Sequence, residues 1–198
     1  MSLPRFYPIF EDAFWIARML PLGVRFVQLR VKDRSEDDTR EEIRCARDSC
    51  AAVGATLVVN DHWQLAIEEG CRFVHLGQED IETADLPAIR RAGLRIGIST
   101  HDEEELSRAL AAAPDYVALG PIYPTVLKQM RFGPQGLDRI TDWKRRVGRL
   151  PLVAIGGLTV ERAPGVLAAG ADVLSVVTDV TRARDPEART RAWLEACA

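Results

Sequence analysis

Three short polar clusters break into otherwise apolar runs of this 198-residue chain: Gln28-Leu29-Arg30-Val31-Lys32, Asn60-Asp61 and His75-Leu76-Gly77-Gln78-Glu79-Asp80. In an extended strand Phe26, Gln28, Arg30 and Lys32 share one face, which directs three polar side chains to where a core is expected. Burying them is costly unless a charged ligand binds there. Arg30 offers a planar fork for a phosphate, and Lys32 and Lys128 offer point charges. Asp61 and Asp80 would repel the same ligand. A hard divalent cation resolves the conflict, because Mg2+ takes one or two carboxylates, keeps several waters and bridges to phosphate oxygens. Either acid taken singly also suits the cap of the helix that follows it.

A second group of candidates is Ile155-Gly156-Gly157, followed by Thr159, together with Thr178-Asp179. Glycines let backbone N–H groups approach an anion, and this pair of loops has the pattern of a barrel's phosphate site; a tight strand-to-helix turn is the other use of the glycines. His75 lies inside an apolar run and is expected as a hydrogen-bonded core group. His62 and His101 fall near the ends of strands, where they either touch ligand or cap helices. No Ser-His-Asp order and no HExxH is present, so nucleophilic catalysis is not indicated. Trp15, Trp63, Trp143 and Trp193 are spread out and read as packing residues, and Lys144-Arg145-Arg146 as a solvated helix face.

The elements that must position these residues recur regularly. Strand-length apolar runs cover 6–10, 26–31, 56–60, 73–77, 95–99, 116–120, 152–156 and 173–178, each followed by a helix-like stretch. Eight such units predict an α/β fold, a closed parallel (β/α)8 barrel, as a single compact domain over 1–198, with a doubly wound sheet as the alternative. Ser35-x-x-Asp38 and Thr100-x-x-Glu103 resemble capping boxes, Thr83 and Thr159 suit N-caps, and Gly70, Gly93 and Gly170 fall where helices should stop. In such a barrel chemistry sits at the C-terminal ends of the strands, where most of the unusual polar residues fall. The longest connection, 121–136, should overhang that mouth.

Composition excludes several function classes. Lys plus Arg number 26 against 29 Asp plus Glu, a formal charge of -3, so no general pull toward nucleic acid or an anionic membrane is expected. No apolar run reaches the ~20 residues of a membrane span. Met1-Ser2-Leu3-Pro4 carries no leader pattern, which sets a cytoplasmic expectation. Cys45, Cys50, Cys71 and Cys197 lack the spacing of a zinc or redox motif and are expected as thiols.

Read together, the motifs Gln28-Leu29-Arg30-x-Lys32-Asp33, Asn60-Asp61, His75-Leu76-Gly77-Gln78-Glu79-Asp80, Gly97-x-Ser99-Thr100-His101, Gly120-Pro121-Ile122-x-Pro124-Thr125, Lys128-Gln129-Met130, Pro134-Gln135-Gly136-Leu137 and Ala154-Ile155-Gly156-Gly157 resemble the thiamine-phosphate synthase family, in order and almost end to end. The resemblance implies a transferase of thiamine biosynthesis. It would join 4-amino-2-methyl-5-hydroxymethylpyrimidine diphosphate to a thiazole phosphate and release pyrophosphate, with the C–O bond breaking before the thiazole nitrogen captures the cation. By motif position Gln28, Arg30, Lys32, Asn60, Ser99 and Lys128 would bind the diphosphate, with Arg30, Lys32 and Lys128 catalytic. Asp61 and Asp80 would bind Mg2+, and Thr125, Gly157 and Thr178 the thiazole phosphate. Barrels of this size often pair as homodimers through outer helices. Two positions depart from the family pattern: Leu127 stands where a second Thr is usual, and Thr178-Asp179 replaces a Ser-Ala pair, adding a negative charge near the proposed phosphate. The related readings are a thiazole tautomerase and a non-catalytic binder of thiamine intermediates.

Overall fold

Eight parallel strands close on themselves in the order of the sequence in the computed structural model, which describes residues 3–125 and 132–198. They are β1 (Phe6–Phe10), β2 (Phe26–Leu29), β3 (Thr56–Asn60), β4 (Phe73–Leu76), β5 (Arg95–Thr100), β6 (Tyr116–Leu119), β7 (Leu152–Ile155) and β8 (Val173–Val176). Closure is made by β1, which pairs with β2 on one side and β8 on the other, Tyr7 lying opposite Ser175. The barrel is therefore the architecture, and the open doubly wound sheet is not.

Helices follow the strands as an outer layer: α1 (Ala13–Met19), α2 (Glu36–Ala52), α3 (Trp63–Glu68), α4 (Gln78–Thr83), α5 (Leu86–Arg91), α6 (Glu103–Ala111), α7 (Gly136–Val147), α8 (Ala163–Ala168), α9 (Thr178–Thr181) and α10 (Pro186–Ala196). Ser35 caps α2 as expected, its Oγ accepting from the Asp38 N–H at 3.1 Å. Two other expected caps are displaced. Thr100 belongs to β5 and Asp102 caps α6, accepting from the Glu105 N–H, while Thr83 ends α4 and Asp85 caps α5. In both places an Asp two residues further on supplies the oxygen that satisfies an orphan helix N–H. Gly70, Gly93 and Gly170 have positive φ and end α3, α5 and α8 as anticipated.

Alternation divides the apolar residues into two cores. Val27, Leu29, Val59, Val74, Leu76, Ile96 and Ile98 point outward beneath the helices, while Tyr7, Phe26, Val58, Phe73, Tyr116, Ala118, Val153 and Val173 fill the barrel. Tyr7 stacks on Phe26 at 4.2 Å between ring centroids, and Tyr116 meets Phe73 at 5.5 Å. Trp143 of α7 is fully buried and donates from Nε1 to the Thr100 hydroxyl at 3.0 Å, which in turn donates to the Ala118 carbonyl. The tryptophan nitrogen thus joins the helix layer to the sheet. Cys45, Cys50, Cys71 and Cys197 are all thiols. No helix among the described residues is long and apolar enough to cross a membrane.

Space for the Tyr116 ring comes from Gly97 on the neighbouring strand, where an added Cβ would lie 2.1 Å from the tyrosine Cζ. Gly97→Ala is expected to lose at least about 1–3 kcal/mol through overpacking, read as a lowered urea midpoint with an unchanged slope. A midpoint equal to that of the unsubstituted chain would show that the ring can move aside at no cost.

Candidate active site

Neighbouring strands β3 and β4 bring the two acids together. Asn60 ends β3 opposite His75 on β4, and the Asp61 N–H then donates to the His75 carbonyl at 2.9 Å. Asp61 adopts a left-handed backbone with φ 62, a conformation that a short polar residue tolerates. Asp80 lies in the first turn of α4, and its Oδ2 accepts from the Gly77 N–H at 2.9 Å. The capping role open to Asp80 is therefore real, yet its carboxyl also lies near enough to that of Asp61 to raise the pKa of the latter.

Two carboxyl groups so close need a proton or a cation between them. Burial, reinforced by the Asp80 carboxyl, pushes the Asp61 carboxyl up to about 6, while the charges of Arg30 and His62 pull the other way. Among the described residues no group of three His, Cys, Asp or Glu side chains could hold a metal alone. A pair of repelling carboxylates nonetheless fits Mg2+, which would replace that proton and fill its remaining positions with water and phosphate.

The polar face expected on the second strand divides in the structure. β2 stops at Leu29, so only Gln28 is truly interior, at 2 % exposure. Arg30 is half-buried and stays against the sheet edge through its N–H to the Phe10 carbonyl at 2.8 Å, whereas Lys32 is exposed. With Glu11, Asp33 and Arg34 these two cations line a polar depression of ≈ 200 Å³. Lys32 is thus not directed into the core, because the chain leaves the barrel before reaching it.

Loops after β6 and β7 are laced together. The Ile122 N–H donates to the Ile155 carbonyl at 2.9 Å and the Tyr123 N–H to the Gly156 carbonyl at 3.0 Å. A Cβ at Gly156 would sit 2.6 Å from the Pro121 Cα, and one at Gly157 2.5 Å from the Pro124 carbonyl oxygen. Close passage of the two loops accounts for the glycine pair, and Thr125 and Gly157 belong to adjoining segments. Thr159 stands before a short 3-10 turn, Val160–Arg162, and offers it no side-chain cap. Thr178 opens α9. Asp179 does not present a free charge to this region: Arg189 donates to both its oxygens at 2.8 and 3.0 Å, and Trp193 Nε1 donates to Oδ2. Leu127 and Lys128 lie outside the described residues.

Among the histidines, His101 pairs with Glu105 at 2.6 Å and stacks on Phe132, and His62 reaches no closer than 3.5 Å to the Val31 carbonyl. His75 is the core histidine anticipated. Burial holds it down at about 4, so it is neutral near pH 7. Its ring contacts Ser99 Oγ at 2.8 Å and the Tyr116 hydroxyl at 2.7 Å. Sequence reasoning did not single out Tyr7 and Tyr116, which it read only as parts of apolar strand runs; Gln78, expected among the polar residues after the fourth run, donates from Nε2 to the Ser99 carbonyl at 2.7 Å. The signal was available, since a buried tyrosine hydroxyl requires a partner.

A family model described as thiamine monophosphate synthase matches residues 9–180. The chain belongs to the thiamine monophosphate synthase family. A thiamine-phosphate synthase of Rhizobium etli is 63% identical over 198 residues, covering 100% of this chain and 97% of its own. One from Klebsiella pneumoniae is 48% identical, covering 93% and 87%. In fold the chain is similar to a solved thiamine phosphate pyrophosphorylase from Pyrococcus furiosus, with a TM-score of 0.86 at 24% identity over 98% of this chain and 95% of that one.

The acid pair of this thiamine monophosphate synthase family member has a consequence for stability. Asp61 has a folded value above its unfolded 3.8, so between 3.8 and about 6 the folded protein holds more proton than the unfolded chain. Its contribution is therefore full below that window and falls as pH rises through it. In chelator, Asp61→Asn is expected to raise Tm at pH 8 by a few degrees and to give a smaller gain at pH 4.5, at about 2–4 °C per kcal/mol. Calorimetry showing equal effects at the two pH values would separate the acids.

Proposed function

We propose that this chain forms thiamine phosphate from 4-amino-2-methyl-5-hydroxymethylpyrimidine diphosphate and a thiazole phosphate, releasing pyrophosphate. The observation that carries the reading is the close approach of Asp61 to Asp80 within the field of Arg30, at the C-terminal rim of a closed barrel. A tautomerase acting on the thiazole alone would have no use for that arrangement.

Gln28, Asn60 and Ser99, in the C-terminal halves of β2, β3 and β5, would bind the pyrimidine diphosphate, with Arg30 and Lys32 on its phosphates. Asp61 and Asp80 would hold Mg2+, which when bound neutralises charge on the phosphate oxygens. Arg30 forms a fork for the departing pyrophosphate, and Lys32 and Lys128 supply further positive charge. Negative charge on the leaving group grows as the C–O bond breaks, so these cations stabilise the transition state more than the bound substrate. The thiazole nitrogen then takes the pyrimidine methyl cation, with the thiazole phosphate held by Thr125, Gly157 and Thr178. No protein nucleophile is required, and a closed mouth limits capture of the cation by water.

Purified protein with both substrates and Mg2+ is expected to release thiamine phosphate and pyrophosphate in equal amounts and to stop on addition of chelator. Conversion of the thiazole phosphate alone would instead identify an isomerase. Asp80→Asn preserves an oxygen for the Gly77 N–H, and is expected to keep Tm within a few degrees while kcat/KM falls by about 10²–10³. Lys128→Ala is expected to slow turnover or raise KM for the diphosphate; unchanged kinetics would remove Lys128 from the reaction.

A further inference from the structure

A continuous line of hydrogen bonds crosses the barrel interior, linking five strands that are not all neighbours. Gln28 Nε2 donates to the Tyr7 hydroxyl at 2.8 Å, Tyr7 and Tyr116 share a bond of 2.9 Å, the Tyr116 hydroxyl lies 2.7 Å from His75 Nδ1, and His75 Nε2 lies 2.8 Å from Ser99 Oγ. Tyr7 and Tyr116 are at most 1 % exposed, and burial raises the pKa of both phenols, so no charged form enters. Both ends of the line are residues assigned above to the pyrimidine diphosphate, and the three central ones reach that substrate only through them.

Each group in the line has a fixed stock of protons, so the sense of one bond sets the next. Tyr7 accepts from Gln28 and must place its own proton on Tyr116, because the reverse would leave a buried phenol proton unbonded at a cost of about 1–3 kcal/mol. Tyr116 in turn donates to His75 Nδ1. A neutral His75 accepting at Nδ1 carries its proton on Nε2 and donates to Ser99 Oγ, which leaves the serine proton for a ligand. At the other end, committing Gln28 Nε2 to Tyr7 leaves the amide oxygen as the acceptor. Turning the Gln28 amide over would reverse every bond and convert Ser99 from donor to acceptor.

We propose that Tyr7, Tyr116 and His75 are positioning residues that lock the amide sense of Gln28 to the hydroxyl sense of Ser99. The mouth is thereby held with an acceptor on the β2 side and a donor on the β5 side, suited to a ring bearing an amino group and ring nitrogens. This deepens the reading of the site given under Proposed function and rests on it for the substrate, whereas the order of the protons does not.

The test uses full-length protein labelled with 15N at histidine. Without substrate, the His75 imidazole shifts are expected to report the Nε2–H tautomer in the unsubstituted chain, and mixed tautomers in Tyr7→Phe, whose lost hydroxyl does not touch His75. In the coupled assay Tyr7→Phe is expected to raise KM for the pyrimidine diphosphate about tenfold, the scale of one buried neutral hydrogen bond, with KM for the thiazole phosphate unchanged. An Nδ1–H tautomer in the unsubstituted chain, the same tautomer before and after Tyr7→Phe, or equal changes in both KM values would each overturn the proposal. Failure of the unsubstituted chain to make thiamine phosphate would overturn the functional reading and leave the tautomer result standing.

Discussion

Repulsion between Asp61 and Asp80 is the constraint around which the site is arranged. Two neighbouring carboxyl groups, one of them lifted to about 6 chiefly by burial, are a standing cost that an ordinary fold would remove by substitution. The cost is sustained because the backbone over-determines both positions. Asp61 is held by its N–H to the His75 carbonyl and by a left-handed turn, and Asp80 by the Gly77 N–H at the start of α4. Neither acid can withdraw without breaking an element start. A divalent cation bound with a polyphosphate would relieve that tension, in keeping with the function proposed for this rim.

The barrel was legible because its alternation is clean: inward Phe26, Val58, Phe73 and Val153 and outward Val27, Val59, Val74 and Ile96 differ in phase by a single residue. The acid pair was legible too, since the segments that leave adjacent strands of a parallel barrel at the same end must be neighbours. Reading failed where a local pattern had two physical outlets. Thr100 looked like a cap because it precedes Glu103 by three, but β5 runs one residue further than its apolar run suggests and Asp102 takes the cap. The strand-two face was extrapolated past Leu29, where the chain turns out, so Lys32 ends in solvent. The tyrosines were legible only as hydroxyls in need of a partner, without a sign of which partner. Pairing of Tyr7 with Tyr116 is a contact between distant segments, and nothing in the spacing of either announces the other.

Polar and apolar packing are not separate layers here. The Tyr116 ring fills the barrel floor against Phe73 and occupies the hollow at Gly97, while its hydroxyl serves the polar line to His75. One side chain therefore answers to volume on one end and to proton inventory on the other. Trp143 repeats the arrangement at the outer wall, with a buried indole whose nitrogen feeds the Thr100 hydroxyl. Such double duty narrows the substitutions a position can accept far more than burial alone.

Arg189 on the last helix grips Asp179 after β8 and also Glu161 after β7, with Trp193 adding its indole nitrogen to the same aspartate. The guanidinium draws the Glu161 carboxyl down to about 2. Two loops that leave different strands are thereby tied to one clasp contributed by the final turns of the chain. The Asp that looked like an intruder beside a phosphate is thereby spoken for, its charge committed to holding the chain's last helix against the barrel.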